Sequence, residues 1–213
     1  MTSRSDRARE ALLDAAEALF ALHGIDAVSD RAIAEEAGTA NHSAVGYHFG
    51  GRDGLLCALL ARETEGKAAT RAAMVDALPG PPTVRDALVA HVLPWVHDFA
   101  GRPAPVRRAR FLARVTASPR ATGHVDDSAP NMRLGPFLDD CGISVAGVPH
   151  KVLTDRARML DAMMLQAFSS FEEGLEQKRT SGGDWVSVGW FLIDAGAGLL
   201  TAPVTGGRDY RTV

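Results

Sequence analysis

Cysteine is scarce in this 213-residue sequence: the two present, Cys57 and Cys141, are far apart and in no metal-binding or redox spacing. That excludes a disulfide framework, a cysteine zinc site and a thiol–disulfide motif, and leaves two reduced, buried thiols. Aromatic residues are also few, at 6%. Alternating β-branched segments are almost missing whereas alanine and leucine abound, which argues against sheets and for helices. No apolar run is clean enough to span a bilayer. The most apolar stretch, 185–204, carries Asp194 and three glycines and reads as a buried interface helix. The charged start, with Arg4, Asp6 and Arg7, has no apolar segment behind it. A secretory signal is therefore not expected, and a cytoplasmic protein without a membrane partner is.

A basic excess is missing as well. Lysine and arginine total 23 against 26 aspartates and glutamates, for a net charge of −3. Over the first sixty residues, Arg4, Arg7, Arg9, Arg31 and Arg52 face nine acids. A polyanionic partner of this region must be held by a few placed groups, not by bulk charge. Catalytic signatures are wanting: there is no P-loop, dinucleotide fingerprint or nucleophile elbow, and no glutamate has a histidine three residues on. His91 and His97 are six apart, on different faces of a helix. No enzyme, metal site or cofactor is expected.

What is present is helical periodicity. Leu12, Ala15, Ala16, Leu19 and Phe20 share one face of a helix predicted over about 5–23, stopped by Gly24. Ser29 is placed to N-cap a short second helix, with Asp30 in its first turn and Val28 and Ile33 at staple positions. Ala37-Gly38 ends it. After the turn at Gly38, Thr39 and Ala40, a third helix is expected over about 41–49, broken by Gly50-Gly51. A single long fourth helix, with Leu55, Leu56, Leu59 and Leu60, is expected from Arg52 to about Leu78.

Pro79 to Pro82 then break the chain. Thr83 and Asp86 form a variant capping box for a helix to about Ala100, with a kink expected at Pro94. Further helices are expected from about Pro103 or Pro105 to Ser118, over 132–141, over 149–178 and, capped by Asp184, to about Thr201. The stretch 118–131 reads as a loop. The domain reading is 1–51 for a small N-terminal domain, 52–205 for a larger helical body and 206–213 for a loose tail. The arginine run from Arg107 to Arg114 reads as the wet face of a helix, with a nucleic-acid patch as the alternative.

A helix, a short capped helix, a glycine turn and another short helix outline a helix-turn-helix. The middle helix braces across a DNA backbone, and the third presents side chains to base edges in the major groove. Three segments, Ser29 to Gly38, Asn41 to Phe49 with its Tyr47-His48-Phe49, and Gly51 to Leu56, resemble the DNA-binding domain of the TetR family of bacterial regulators. The resemblance covers about the first quarter of the chain. It implies phosphate contacts from Tyr47, His48 and Arg52. It also implies base and nearby phosphate contacts from Thr39, Asn41, His42 and Ser43, with Ser29 and Arg31 at the same surface. Ile33 and Phe49 match packing positions. The stretch from Gly38 to Phe49 is one residue longer than the commonest spelling, and Gly46 stands where an aromatic is often found.

The fold class expected is therefore all-α: a three-helix DNA-binding domain followed by a larger ligand-binding and dimerisation domain. In the last two helices, Met164, Phe168, Phe171, Trp185, Phe191 and Leu199 are expected at a four-helix homodimer interface. Gly189, Gly196 and Gly198 would admit a partner helix closely. A dimer would read a palindromic duplex operator with half-sites roughly 34–36 Å apart. The resemblance also implies a small-molecule effector among the middle helices. His91, Trp95, Phe99, Phe111, Phe137, Met159 and Met163 are candidates for its pocket, or for plain core. Repression released by that effector is the family's usual mode. A regulator-like chain that has lost DNA binding and acts through another partner is the alternative.

Overall fold

The computed structural model describes residues 4–102, 107–118, 133–179 and 184–205. They form ten α-helices: α1 (Arg4–His23), α2 (Asp30–Glu36), α3 (Ala44–Phe49), α4 (Arg52–Thr64), α5 (Lys67–Asp76), α6 (Val84–Ala100), α7 (Arg108–Ala117), α8 (Leu134–Asp140), α9 (His150–Glu176) and α10 (Trp185–Thr201). No strand occurs among the described residues, so the fold is all-α as the composition requires. The expected loop beyond Ser118 and the tail beyond Thr205 lie outside the described residues.

The apolar stripes meet in one continuous core. Leu12, Ala16 and Phe20 of α1 pack with Ile33 of α2, Val45 of α3 and the leucines of α4. The same core runs into the body through Phe111 and Leu112 of α7, where Phe111 stacks on Phe20 with ring centroids 6.3 Å apart. Local signals explain the boundaries. Ser29 Oγ accepts the Ala32 amide at 3.1 Å, and Thr83 and Asp86 close a reciprocal capping box. Asp184 accepts the Ser187 amide at 2.6 Å. Each satisfies an amide that the first helical turn leaves open.

The long fourth helix is two helices. α4 stops at Thr64, and Gly66 takes φ +73°, a left-handed conformation that side chains resist. Lys67 Nζ then reaches back to the Glu63 carbonyl and answers the negative end of α4. The sequence from Ala61 to Ala73 is rich in helix-favouring Ala, Glu, Lys and Arg on both sides of the break, which is why sequence alone reads straight across it. α3 also begins later than expected, at Ala44. The Asn41 amide donates to Thr39 Oγ1 and the Ser43 amide to Asn41 Oδ1, at 3.2 and 3.0 Å. These side chains hold a turn where a helix start was read, the usual competition of short polar groups with helical hydrogen bonds.

In the body, α9 and α10 run antiparallel, with α6 packed against α10. Gly196 lies so close to α9 that a Cβ there would meet Leu160 at 2.7 Å, and one at Gly189 would meet Val96 of α6 at the same distance. Two of the three glycines expected to admit a neighbour thus do so within the chain. Gly198 faces open space.

Candidate functional site

The corner between α3 and α4 fixes the N-terminal head. Gly50 is left-handed at φ +73°. Gly54 sits against the end of α3, where a Cβ would come within 1.8 Å of the Phe49 carbonyl oxygen. Arg52 locks the corner from inside. Its Nη1 donates to Asp30 at 3.0 Å, its Nη2 to the Ile25 carbonyl, and the guanidinium lies 4.9 Å over the Phe20 ring. It thus ties the end of α1, the α1–α2 loop, the start of α2 and the start of α4 together. Arg52 was expected at a phosphate; here Nη1 and Nη2 each hold a partner within the fold, and a carboxylate, a carbonyl and an aromatic face surround the group.

The outward surface of the head is built differently. Tyr47 is 78% exposed, and its ring meets His48 edge-on at 4.9 Å. Ala40, Asn41, His42 and Ser43 are exposed, and Thr39 and His48 half-buried. These side chains share the α2–α3 turn and the short α3. Ser29 and Arg31 stand on α2. Ser29 is engaged as the cap, and Arg31 pairs with Glu35 at 2.7 Å, an exposed i,i+4 pair that a stronger anion can displace. Arg4 and Arg7 lie on the exposed first turns of α1. Of the expected head residues, Ser29, Arg31, Asn41, His42, Ser43 and Tyr47 are exposed and Thr39, His48 and Arg52 half-buried.

A capped bracing helix, a tight turn and a short presenting helix on a helical body define a helix-turn-helix DNA-binding protein. Residues 12–59 match the family model for bacterial regulatory proteins of the tetR family, and this segment is a TetR-type DNA-binding domain. Solved structures extend the likeness of fold over the body. A TetR family transcription regulator from Marinobacter aquaeolei is 18% identical, covering 93% of this chain and 98% of its own with a TM-score of 0.58. NalD of Pseudomonas aeruginosa, the secondary repressor of the MexAB-OprM multidrug efflux pump, is 16% identical, with coverages of 94% and 98% and a TM-score of 0.62. No curated protein matches the chain. Among the described residues no helix is long and apolar enough to cross a membrane.

Head and body meet at a charged junction that sequence reading missed. Glu17 of α1 accepts from Arg62 of α4 at 2.6 Å and from Arg108 of α7 at 2.8 and 3.2 Å. Glu63 is fully buried beside them. It lies 2.8 Å from Arg108 Nε, yet no hydrogen bond is aligned on its carboxylate oxygens. Burial pushes its pKa up to about 8 against the pull of Arg108. The arginine run is therefore neither a wet face nor a nucleic-acid patch. Arg108 is buried in the junction, while Arg107 and Arg110 bind Glu176 at 2.8 and 2.7 Å. Only Arg114 is exposed. Glu172 caps α7 through the Ala109 and Arg110 amides, and burial lifts its pKa to about 7 in spite of them.

The expected pocket residues fall into three places. His91, Trp95, Phe99 and Phe111 are buried core; Phe99 lies 5.4 Å from Phe168 and 5.0 Å from Trp185, ring to ring. Phe137 borders a cleft of 250 Å³ with Arg71 and Cys141. Met159 and Met163 are 53% and 52% exposed. The better-formed cavity, 340 Å³, lies between α7 and α9. A buried polar chain joins the two spaces. Arg71 Nη1 lies 3.1 Å from His91 Nδ1, and His91 Nε2 lies 3.2 Å from Asp161 Oδ1. A guanidinium only donates, so Nδ1 accepts and the ring proton sits on Nε2, facing the carboxylate. Asp161 also accepts the Leu134 amide at the start of α8.

The expected interface residues divide likewise. Met164, Phe168 and Trp185 are buried within the one chain, because they serve the aromatic cluster that joins α6, α9 and α10. Phe171 and Leu199 are half-buried, and Phe191 is 69% exposed. Arg156 donates to the carbonyls of Leu200 and Ala202, which fixes the antiparallel register. It sets Met159 at about the level of Gly198 and Met163 at about that of Ile193. Phe191, Met159 and Met163 are the large apolar side chains that these two helices leave most exposed. Cys57, within α4, and Cys141, just past α8, are reduced thiols and half-buried, not fully buried as expected.

Proposed function

We propose that this protein is a cytoplasmic repressor that binds a palindromic operator as a homodimer and is released by a small-molecule effector. The observation that carries the reading is the head itself: exposed Asn41, His42, Ser43 and Tyr47 stand on a corner pinned from inside by Arg52 and Gly54. Such rigidity suits a recognition element, because a side chain fixed before binding loses less entropy on contact. Thr39, Asn41, His42 and Ser43 approach base edges and nearby phosphates, and Tyr47, His48 and Arg31 the flanking backbone. Ser29 positions α2 over it.

Dimerisation through the open side of α9 and α10, with Phe171, Phe191, Leu199, Met159 and Met163, supplies the second head. The repressor assignment of NalD and the α7–α9 cavity support repression and effector release. A ligand that favours a body conformation with mismatched head spacing weakens DNA binding, and DNA weakens ligand binding by the same factor.

Selection of duplexes from a random pool tests this. The expected outcome is a palindrome whose half-sites lie roughly 34–36 Å apart, bound with strong salt dependence, and lower transcription from a promoter carrying it. No enrichment under any salt condition would favour a chain that acts through another partner, which the acidic head and the internal use of Arg52 also suit.

A further inference from the structure

We infer that the cavity between α7 and α9 takes a small amphipathic carboxylate, with the carboxylate at the rim and an apolar body on the floor. The inference rests on reading the body as an effector domain. The floor is made by Ala113 and Ala117 of α7 facing Ala162 and Leu165 of α9. Each helix contributes residues three or four apart, so one face of each looks into the space. Three of the four are alanines, and their short side chains leave the 340 Å³ open. That volume is at the lower end for small-molecule sites, which favours a compact ligand.

The rim sets the sign of charge. Among the described residues, Arg133 and Arg158 line the cavity together with one acid, Asp161. Asp161 is already answered from the core side: His91 Nε2 and the Leu134 amide donate to it, and Arg71 stands behind the imidazole. Arg158 has a side chain 58% exposed, and its contact with Asp155 is long, at 3.4 Å. Exchanging so weak a contact for a carboxylate costs little. A planar guanidinium matches a carboxylate with two parallel hydrogen bonds, and an alcohol or amine has no such fit. An ammonium would in addition meet the like charge of Arg158.

Calorimetry on the full chain without DNA, using octanoate, octanol and octylamine, tests the inference. Octanoate should bind saturably and about tenfold or more tighter than either analogue, the scale of a charge-assisted bidentate contact. Arg158→Glu and Ala162→Trp, both at exposed positions, should each weaken octanoate about tenfold or more while leaving the melting curve unchanged. If Ala162→Trp unfolds the chain, Ala117→Phe fills the same space from α7. Three results overturn the inference: no saturable octanoate binding, octanol or octylamine binding as tightly, or full affinity in a folded cavity-filling variant. No DNA is present in these titrations. Loss of octanoate binding therefore leaves the DNA reading standing, and loss of DNA binding leaves this one standing.

Discussion

Two residues of the head, five positions apart, do opposite work. Arg52 faces inward and Tyr47 outward, although the motif alone assigns both to phosphates. Arg52→Ala removes hydrogen bonds from a charged donor to Asp30 and Ile25 and a cation–π contact with Phe20. We expect it to destabilise the chain by roughly 2–3 kcal/mol, seen as a lower midpoint in urea. Tyr47→Ala should leave that midpoint within about 0.5 kcal/mol, as for other surface changes. Equal stability of the two variants would refute the staple. What was legible here was the type and spacing of the residues. What was not was direction: Arg52 points inward because Asp30, Ile25 and Phe20 surround it, and those neighbours come from three separate segments.

Elements carry the next level. The α3–α4 corner depends on Gly54, whose Cβ would overlap the Phe49 carbonyl, whereas Gly46 on α3 faces open space. Gly54→Ala should cost several kcal/mol, because backbone must move. Gly46→Ala should stabilise by about 0.5–1 kcal/mol through helix propensity. Thermal melts of the pair check this; similar melts would show that the close approach is not real. The helices themselves were largely readable, since caps at Ser29, Thr83 and Asp184 and breakers such as Pro79 to Pro82 act locally. The division at Gly66 was not, because helix-favouring residues flank it on both sides and a lone glycine is tolerated within a helical pattern. Nor was the Glu17–Arg62–Glu63–Arg108 junction, which joins α1, α4 and α7 over long sequence separations.

That junction gives an element-level pH dependence. Glu63 is raised in the fold from its ordinary 4.5 to about 8, so the folded state holds its proton more tightly than the unfolded chain. The stability this contributes is fully present below about pH 4.5 and is lost as pH rises through about 8. Glu172, raised to about 7, adds a slope of the same sign. Glu63→Gln should therefore flatten, without abolishing, the decline in stability between pH 5 and pH 8 that this pair produces. Unfolding curves across that window measure it, and an unchanged slope would remove Glu63 from the junction's titration.

For the whole molecule, the head is small and acidic, so the proposed operator binding rests on a second copy and a few well-placed contacts. One chain buries Met164, Phe168 and Trp185 for itself and leaves Phe191, Met159 and Met163 outside. Sequence periodicity expected the proposed interface on these two helices, but Met164, Phe168 and Trp185, named for it, are core within the one chain, because α9 is apolar on more than one face. Phe191→Glu should give a folded monomer by light scattering; a dimer of undiminished affinity would place the interface elsewhere. The central claim is that DNA is held by the exposed side of α3 and its turn. The direct measurement is the affinity of wild type and Tyr47→Ala for the selected duplex across a salt series. We predict wild-type binding in the range of about 10⁻⁸ M or tighter that falls steeply with salt. Tyr47→Ala, still folded and dimeric, should bind about tenfold or more weakly at every salt concentration. Equal affinity of the two proteins, or binding indifferent to salt, would contradict the account.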